Sequence, residues 1–232
     1  MTPAALEFAG VTKQYGGLRP LRIAELRVAE RELVAIAGLD QTAAEVFVNL
    51  ATGATLPDAG EVRLFGRATS SITDSADWLA TIDRVGTVSE RAVLLERMSV
   101  VQNLALPFTL DIEPPPGADR ARAEALAQEV GLSQTAWARP LAELDANAAA
   151  RVRLGRAIAL DPALLLLEHA TARLAREAAA PFGAAVRAIA ERRGAAVVAL
   201  TADDALARAS ATRVLTLDPA TGRLKERGRW FR

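Results

Sequence analysis

The sequence predicts an α/β fold: short aliphatic or β-branched runs recur along it, stretches of helical character separate them, and apolar residues make up 51% of the chain, enough for a large core. The first strand is residues 33–37, an unbroken apolar run that ends at Gly38. A helix over 43–50 follows, with Gly53 as its stop signal, and then strands over 61–65 and 85–88. Residues 89–140 differ. They hold no clear strand, a Pro114-Pro115-Pro116-Gly117 break and an amphipathic stretch over 119–130, which together predict an inserted helical lobe. Beyond it, helices over 146–160, 174–192 and 204–210 alternate with strands over 164–167, 195–201 and 213–217, Gly194 closing the second of these helices. The cluster Asp218-Pro219-Ala220-Thr221-Gly222 then joins two short runs as a hairpin. A core sheet covered by helices is the architecture this pattern implies. No internal repeat or low-complexity linker divides the chain, so one domain is expected, with a core of 1–88 and 141–232 and a helical subdomain of about 89–140.

The composition removes several classes of function. Among 232 residues, 28 basic side chains balance 28 acidic ones, so no basic excess draws the chain onto nucleic acid or an anionic membrane. The absence of cysteine excludes disulfides, thiolate metal sites and thiol nucleophiles, and a single histidine excludes a histidine-rich metal cluster. Residues 1–6 carry no basic segment followed by an apolar stretch, so no signal peptide is expected. The longest aliphatic run, 163–167, is far short of the roughly 20 residues that cross a bilayer. A soluble, cytoplasmic chain is the expectation. Only two basic residues are lysines, Lys13 and Lys225.

Residues 33–50 place a glycine between a strand and an apolar helix, the geometry that phosphate-binding loops use. Further on, Ala54-Thr55-Leu56-Pro57-Asp58-Ala59-Gly60-Glu61-Val62-Arg63-Leu64-Phe65-Gly66 is similar to a P-x-x-G-x-V/I-x-x-x-G stretch. Arg151-Val152-Arg153-Leu154-Gly155-Arg156-Ala157-Ile158-Ala159-Leu160-Asp161-Pro162-Ala163-Leu164-Leu165-Leu166-Leu167 is similar to QRV-x-x-ARAL-x-x-DP-x-LLLL. In this order and spacing, from about residue 6 to 224, these stretches resemble the ATP-binding subunits of ABC transporters. The resemblance implies a P-loop NTPase-like ABC ATPase fold with an inserted helical subdomain.

It also implies a role for each motif position, and most are altered. The phosphate loop should be G-x-x-x-x-G-K-[ST], whose amides wrap the phosphates, whose lysine neutralises them and whose hydroxyl binds magnesium. Here it is Gly38-Leu39-Asp40-Gln41-Thr42-Ala43-Ala44-Glu45. Ala44 stands at the lysine position, and Glu45 brings a carboxylate where the hydroxyl belongs. Lys13 is the only lysine available to substitute, and an exposed, solvated lysine is the simpler account of it. Glu90 stands at the Q-loop glutamine; its oxygens suit a divalent cation, though a solvated loop carboxylate is the default. Val100-Val101-Gln102-Asn103-Leu104-Ala105-Leu106-Pro107 resembles TV-x-ENVALP, which in relatives lines the groove for the membrane subunit.

At the signature motif, Leu144-Asp145-Ala146-Asn147-Ala148 replaces L-S-G-G-Q/E; Asp145 makes a good helix N-cap but opposes a phosphate. After the leucine strand, Glu168 stands at the metal-binding aspartate, one methylene longer and able to reach an ion, and His169 at the glutamate that polarises water. A histidine has the chemistry of a base, whereas a lone one without metal or phosphate is more simply a packed side chain. Ala202 replaces the switch histidine, and Tyr15 keeps the adenine-stacking aromatic. Vestigial nucleotide contacts therefore fall on Tyr15, Gly38, Thr42, Ala44, Glu45 and Glu90, and no catalytic residue or metal site is expected to function.

In such dimers each ATP lies between the phosphate loop of one subunit and the signature of the other, and this chain departs from both patterns. The leading expectation is a pseudo-ATPase. It would be a structural or regulatory subunit, docked on a transmembrane permease at the inner face of the cell membrane, in a homodimer or in a heterodimer with another ABC ATPase, without nucleic acid. No cofactor is expected, with ATP and Mg held only if the altered site still binds them. Two alternatives stay open: residual hydrolysis that energises transport, using Glu168 or Glu90 for magnesium and His169 as base, and a soluble adaptor no longer tied to transport. The cargo is not legible.

Overall fold

The computed structural model describes residues 3–227, and two sheets organise them. In chain order the elements are β1 (Ala4–Lys13), β2 (Leu21–Ala29), β3 (Leu33–Ala37), α1 (Gln41–Ala51), β4 (Ala59–Leu64), β5 (Arg67–Ala68), α2 (Ser75–Ile82) and β6 (Val85–Ser89). There follow α3 (Val100–Ala105), α4 (Gly117–Glu129), α5 (Ala146–Ala157), β7 (Leu164–Glu168), α6 (Arg176–Arg193), β8 (Ala196–Leu200), α7 (Asp204–Ser210), β9 (Arg213–Asp218) and β10 (Arg223–Glu226). The larger sheet has the order β10-β9-β3-β8-β7-β6, parallel from β9 to β6, with β10 antiparallel at one edge. The smaller one, β2-β1-β4-β5, is antiparallel throughout.

The parallel strands are continuous aliphatic runs because both of their faces are covered. Val34, Ile36, Leu164, Leu166, Val198 and Leu200 join one apolar cluster with Phe8 of β1 and Phe47 of α1, whose rings stack at 4.7 Å. The intervening Ala35, Leu165, Leu167, Val197 and Ala199 point to the opposite cluster, built from α3, α4, α5 and α6. α5 lies so close to β6 that a Cβ on Gly86 would stand 2.2 Å from the Ala157 carbonyl oxygen. Between β6 and β7 the described chain has helices and turns, with a single isolated bridge from Ser99 to Pro140. α3 opens on a capping box of Ser99 and Gln102, and the fully buried Asn103 fastens the preceding turn through the backbone of Leu95. No described helix is long and apolar enough to cross a membrane.

The structure corrects several sequence expectations. Instead of one core sheet there are two, and the long strands β1 and β2 fell in a stretch to which no element was assigned. β2 carried only a broken signal: Leu21 and Ile23, then Leu26 and Val28, are its buried side chains, and the alternation slips by one residue at Ala24 and Glu25. α2, to which no element was assigned, has no fully buried side chain and is tied to the core through Trp78, whose indole N–H donates to the Thr52 carbonyl at 3.1 Å. α5 ends three residues earlier than expected: Ile158 caps it, and Asp161 takes a left-handed φ of 55° just before Pro162. The hairpin formed by β9 and β10 lies where the turn cluster predicts it.

Candidate functional site

The phosphate-loop, Q-loop and Glu168–His169 positions lie at the C-terminal ends of β3, β6 and β7, the place where open parallel sheets present their loops, whereas the signature position opens α5 and Ala202 follows β8. Gly38 leaves β3 with φ +94°, and a Cβ there would stand 2.7 Å from the carbonyl oxygen of Leu217 in β9. Only glycine meets both demands. The chain enters α1 at once, three residues after Gly38. The Asp40 carboxylate accepts the Ala43 N–H at 2.7 Å and caps the helix, so an amide at this N-terminus is already satisfied by a side chain of the same loop. Ala44 is fully buried in the apolar cluster, whereas Gln41 and Thr42 are exposed. Lys13 is not a free cation here: its Nζ pairs with Asp58 at 2.8 Å.

Glu168, the last residue of β7, has no solvent exposure. A carboxylate so placed requires a cation or several donors. Both are present. Arg91 donates from Nε to the two Glu168 oxygens at 3.1 Å each and from Nη2 to Oε2 at 2.6 Å, while Gln41 Nε2 donates to Oε1 at 2.8 Å. The remaining arm of the fork, Nη1, reaches Glu45 Oε1 at 3.1 Å. One guanidinium thus joins α1, the end of β7 and the turn after β6, and the turn is fixed by the Arg91 N–H on Ser89 Oγ at 3.1 Å. Hydrogen bonding to Glu168, then the charges of Glu168 and Glu45, hold the Arg91 pKa above its ordinary value against the cost of desolvation.

The sequence placed an alanine where the loop's lysine belongs and a carboxylate at Glu45, with Lys13 the only substitute cation considered. That picture is corrected here: the cation is present, on a residue one position beyond the motif. Glu45 faces it rather than an open cradle.

Glu90 turns away from this nest. Its oxygens lie 3.1 Å from Arg153 Nη1 and Nη2 of α5 and 3.8 Å from Arg173 Nη1, so it ties the turn to the helical side. Oε2 makes an ionic contact there without hydrogen-bond alignment. Glu90 and Glu168 are therefore not gathered on one ion. Among the described residues no cluster of histidine, aspartate or glutamate has the makings of a metal site. His169 takes a left-handed φ of 44°, and its Nε2 is buried with no hydrogen-bond partner, so the structure supplies nothing to orient it as a base.

Tyr15 is half-buried against the Phe8 and Phe47 cluster; burial and then the Asp40 charge push its phenol pKa up. On the helical side, Asp145 caps α5 by accepting the Ala148 N–H at 2.8 Å, with Ala146 exposed and Asn147 half-buried beside it. Asp145→Ala is expected to cost about 1 kcal/mol, measured by chemical denaturation, as for other lost N-caps. Ala202 is exposed after β8, and the neighbouring Asp203 caps α7 while accepting the Thr171 hydroxyl at 3.2 Å.

A family model described as ABC transporter matches residues 21–172. The methionine import ATP-binding protein MetN of Mesorhizobium japonicum is 34% identical over 204 residues, covering 88% of this chain and 54% of that protein. The lipoprotein-releasing system ATP-binding protein LolD of Chromohalobacter salexigens is 31% identical over 202 residues, covering 87% of this chain and 83% of that protein. The chain spans little more than half the length of the MetN relatives it matches. Among solved structures, a dimeric bacterial ABC transporter cassette superposes with a TM-score of 0.78 at 23% identity, over 96% of this chain and 99% of that one. CbiO1 from Clostridium perfringens does so with 0.80 at 17%, over 96% and 87%. With a family model matched over residues 21–172 and a relative 31% identical across 83% of its own length, the chain belongs to the ABC transporter family, as an ATP-binding domain of that fold.

Proposed function

We propose that this domain is a subunit of a membrane transporter complex that neither binds nor hydrolyses ATP and serves as a structural or regulatory partner docked on a permease. The observation that carries the reading is the filled loop: Asp40 caps α1, and the guanidinium of Arg91 occupies the space between Glu45 and Glu168. A magnesium triphosphate does not fit these residues as they stand. It would need the amide that Asp40 holds, and the cation beside the loop, Arg91, is already committed to Glu45 and Glu168 while Asp40 offers an exposed carboxylate. Ala44 contributes no charge from its buried position.

The expected result is that MgATP leaves the melting temperature of the purified chain unchanged. A ligand bound to the native state at a hundred times its Kd adds about 2.7 kcal/mol and several degrees, so such a rise would overturn the reading. Ala44→Lys alone is expected to leave ATP binding absent, because Asp40 and Arg91 stay in place; micromolar affinity of that variant by isothermal titration would contradict this.

The same proposal divides the domain into a core of 1–88 and 141–232 and a helical subdomain of about 89–140. The permease contact is proposed at the groove between β6, α5 and the end of α3. It has a volume of about 370 Å³, and its lining includes Leu106, Pro107, Leu160 and Arg156. Leu160 is 49% exposed there, with Val93 at 76% nearby, which suits an apolar segment of a partner. Arg156 holds the Val93 carbonyl at 2.6 Å, so the groove wall is set by the same turn that carries Arg91. Co-purification of a polytopic membrane protein with the tagged chain supports this assignment, and recovery of soluble partners alone favours an adaptor.

A further inference from the structure

The helical lobe meets the core through arginines. Three stand on α5 and reach separate parts of the lobe: Arg151 donates to the Val130 carbonyl at the end of α4, Arg153 forks onto Glu90 with both contacts at 3.1 Å, and Arg156 donates to the Val93 carbonyl at 2.6 Å. From α6, Arg193 forks onto Glu129 of α4 at 2.9 and 2.6 Å, and Arg192 adds a bond to the same carboxylate at 2.7 Å. Both forks are mostly buried, and a fork fixes direction as well as distance because its two N–H bonds run side by side. Along α5, between Arg153 and the Ile158 carbonyl that Arg193 holds at 2.9 Å, the packing is close: a Cβ on Gly155 would stand 2.6 Å from Leu104 Cδ2 of α3. The forks sit at opposite ends of the sheet. Glu90 follows β6, whose last residue pairs with Glu168 at the C-terminal end of β7, whereas Arg193 binds Ile158 and Asp161 just before the N-terminal end of β7. The length of β7 separates them by roughly 15 Å. One attachment is a pivot about which a lobe swings; two at this spacing oppose rotation about either one.

We propose that the Arg153–Glu90 and Arg193–Glu129 forks latch the helical lobe to the core, so that the two move as one rigid body independently of any ligand. The latch rests on the division into core and lobe proposed above and goes beyond it. Bodies joined by chain crossings and a modest interface move relative to each other unless something more holds them. Here ion pairs whose carboxylates lie mostly out of water supply that hold, and a swing of the lobe would strand each carboxylate without its fork. The groove between β6, α5 and the end of α3 takes its walls from both bodies, Leu106 and Pro107 from the lobe and Gly86 and Leu160 from the core. A latched lobe therefore holds that groove at one width, and a partner seated there meets a surface that is already formed.

The chain has no cysteine, so spin labels attach only where cysteines are introduced. Ala121→Cys on α4 with Ala184→Cys on α6, both exposed, reports lobe against core, and Leu110→Cys with Ala125→Cys reports the lobe alone. Double electron–electron resonance on the otherwise wild-type chain is expected to give one narrow lobe-to-core distance. Arg153→Gln combined with Arg193→Gln is expected to broaden that distribution about twofold, as for bodies left to move on a hinge, and each single change to broaden it less. Glu90→Gln with Glu129→Gln, which keep the side-chain shapes, serve if the arginine pair does not fold. A broad or two-peaked distance in wild type would overturn the latch. So would fork variants that melt earlier yet keep the wild-type width, because the arginines would then stabilise the fold without constraining it. The lobe-only pair separates the other failure: if it broadens as much as the lobe-to-core pair, the lobe loosens internally and is no single body, which overturns the division on which the latch rests.

Discussion

Replacing Arg91 by alanine is expected to destabilise the domain by about 2–3 kcal/mol and to lower its melting temperature by roughly 5–10 °C. The size follows from the partner rather than from Arg91 itself. Arg91 is 40% exposed, but Glu168 is not exposed at all, and without the fork its charge is left with one hydrogen bond from Gln41. Breaking a buried pair from one side typically costs about 3–5 kcal/mol; the exposed edge of this one lets water reach the vacated place, which brings the cost just below that range. Glu168→Gln should be milder, about 1 kcal/mol, because it removes the buried charge and leaves Arg91 to Glu45 and solvent. Glu45→Gln, at an exposed pair, should change stability by less than about 1 kcal/mol. The double variant of Arg91 and Glu168 then recovers part of the loss, and the coupling is read from a denaturation cycle. Additive single effects would show that the buried carboxylate does not depend on this arginine.

Neutralising Glu129 is expected to be the next largest effect. Hydrogen bonds from Arg193 pull its pKa from 4.5 to about 2 against desolvation, with Arg192 adding a further hydrogen bond and charge. Arg193 also reaches the Ile158 carbonyl at 2.9 Å and Asp161 at 3.0 Å, so the cluster joins α4 to the ends of α5 and α6. The drop in pKa corresponds to at most about 3 kcal/mol. Glu129 and Arg193 are 18% and 19% exposed, but Arg192 is 56% exposed, and screening brings the contribution to about 1–2 kcal/mol. Because the folded pKa lies below the unfolded one, this stability is complete above pH 4.5 and is lost as the pH falls towards 2. Glu129→Gln should therefore lower stability at neutral pH and flatten its fall across that acid window. Parallel acid profiles for variant and wild type would contradict the assignment.

The sequence carried the parallel core clearly, because residues 33–37, 164–167 and 196–200 are buried and uniformly apolar, as strands covered on both faces are. The antiparallel sheet was harder to see. β1 is interrupted by Gly10, and its register against β4 shifts between Ala9 and Thr12, so no clean alternation runs its length. At the site, the motif positions were found by spacing, and what fills them was not. Arg91 is separated from Glu168 by 77 residues and from Glu45 by 46, and such convergence has no one-dimensional signature. A search for a substitute cation confined to lysine passes over it. The nearest available hint was that Glu168 ends a wholly apolar strand, where an acid must find a positive partner.

The tight approach between residue 38 and the carbonyl of Leu217 gives the first letter of the loop a second employer. A neighbouring strand leaves no room for a methyl group, and this demand is indifferent to whatever once lay in the loop. Packing alone therefore requires glycine at this position, whether or not a phosphate lies in the loop. The glycine at residue 38 is thus testimony about architecture, and the nucleotide question is decided by the side chains of the loop and not by it.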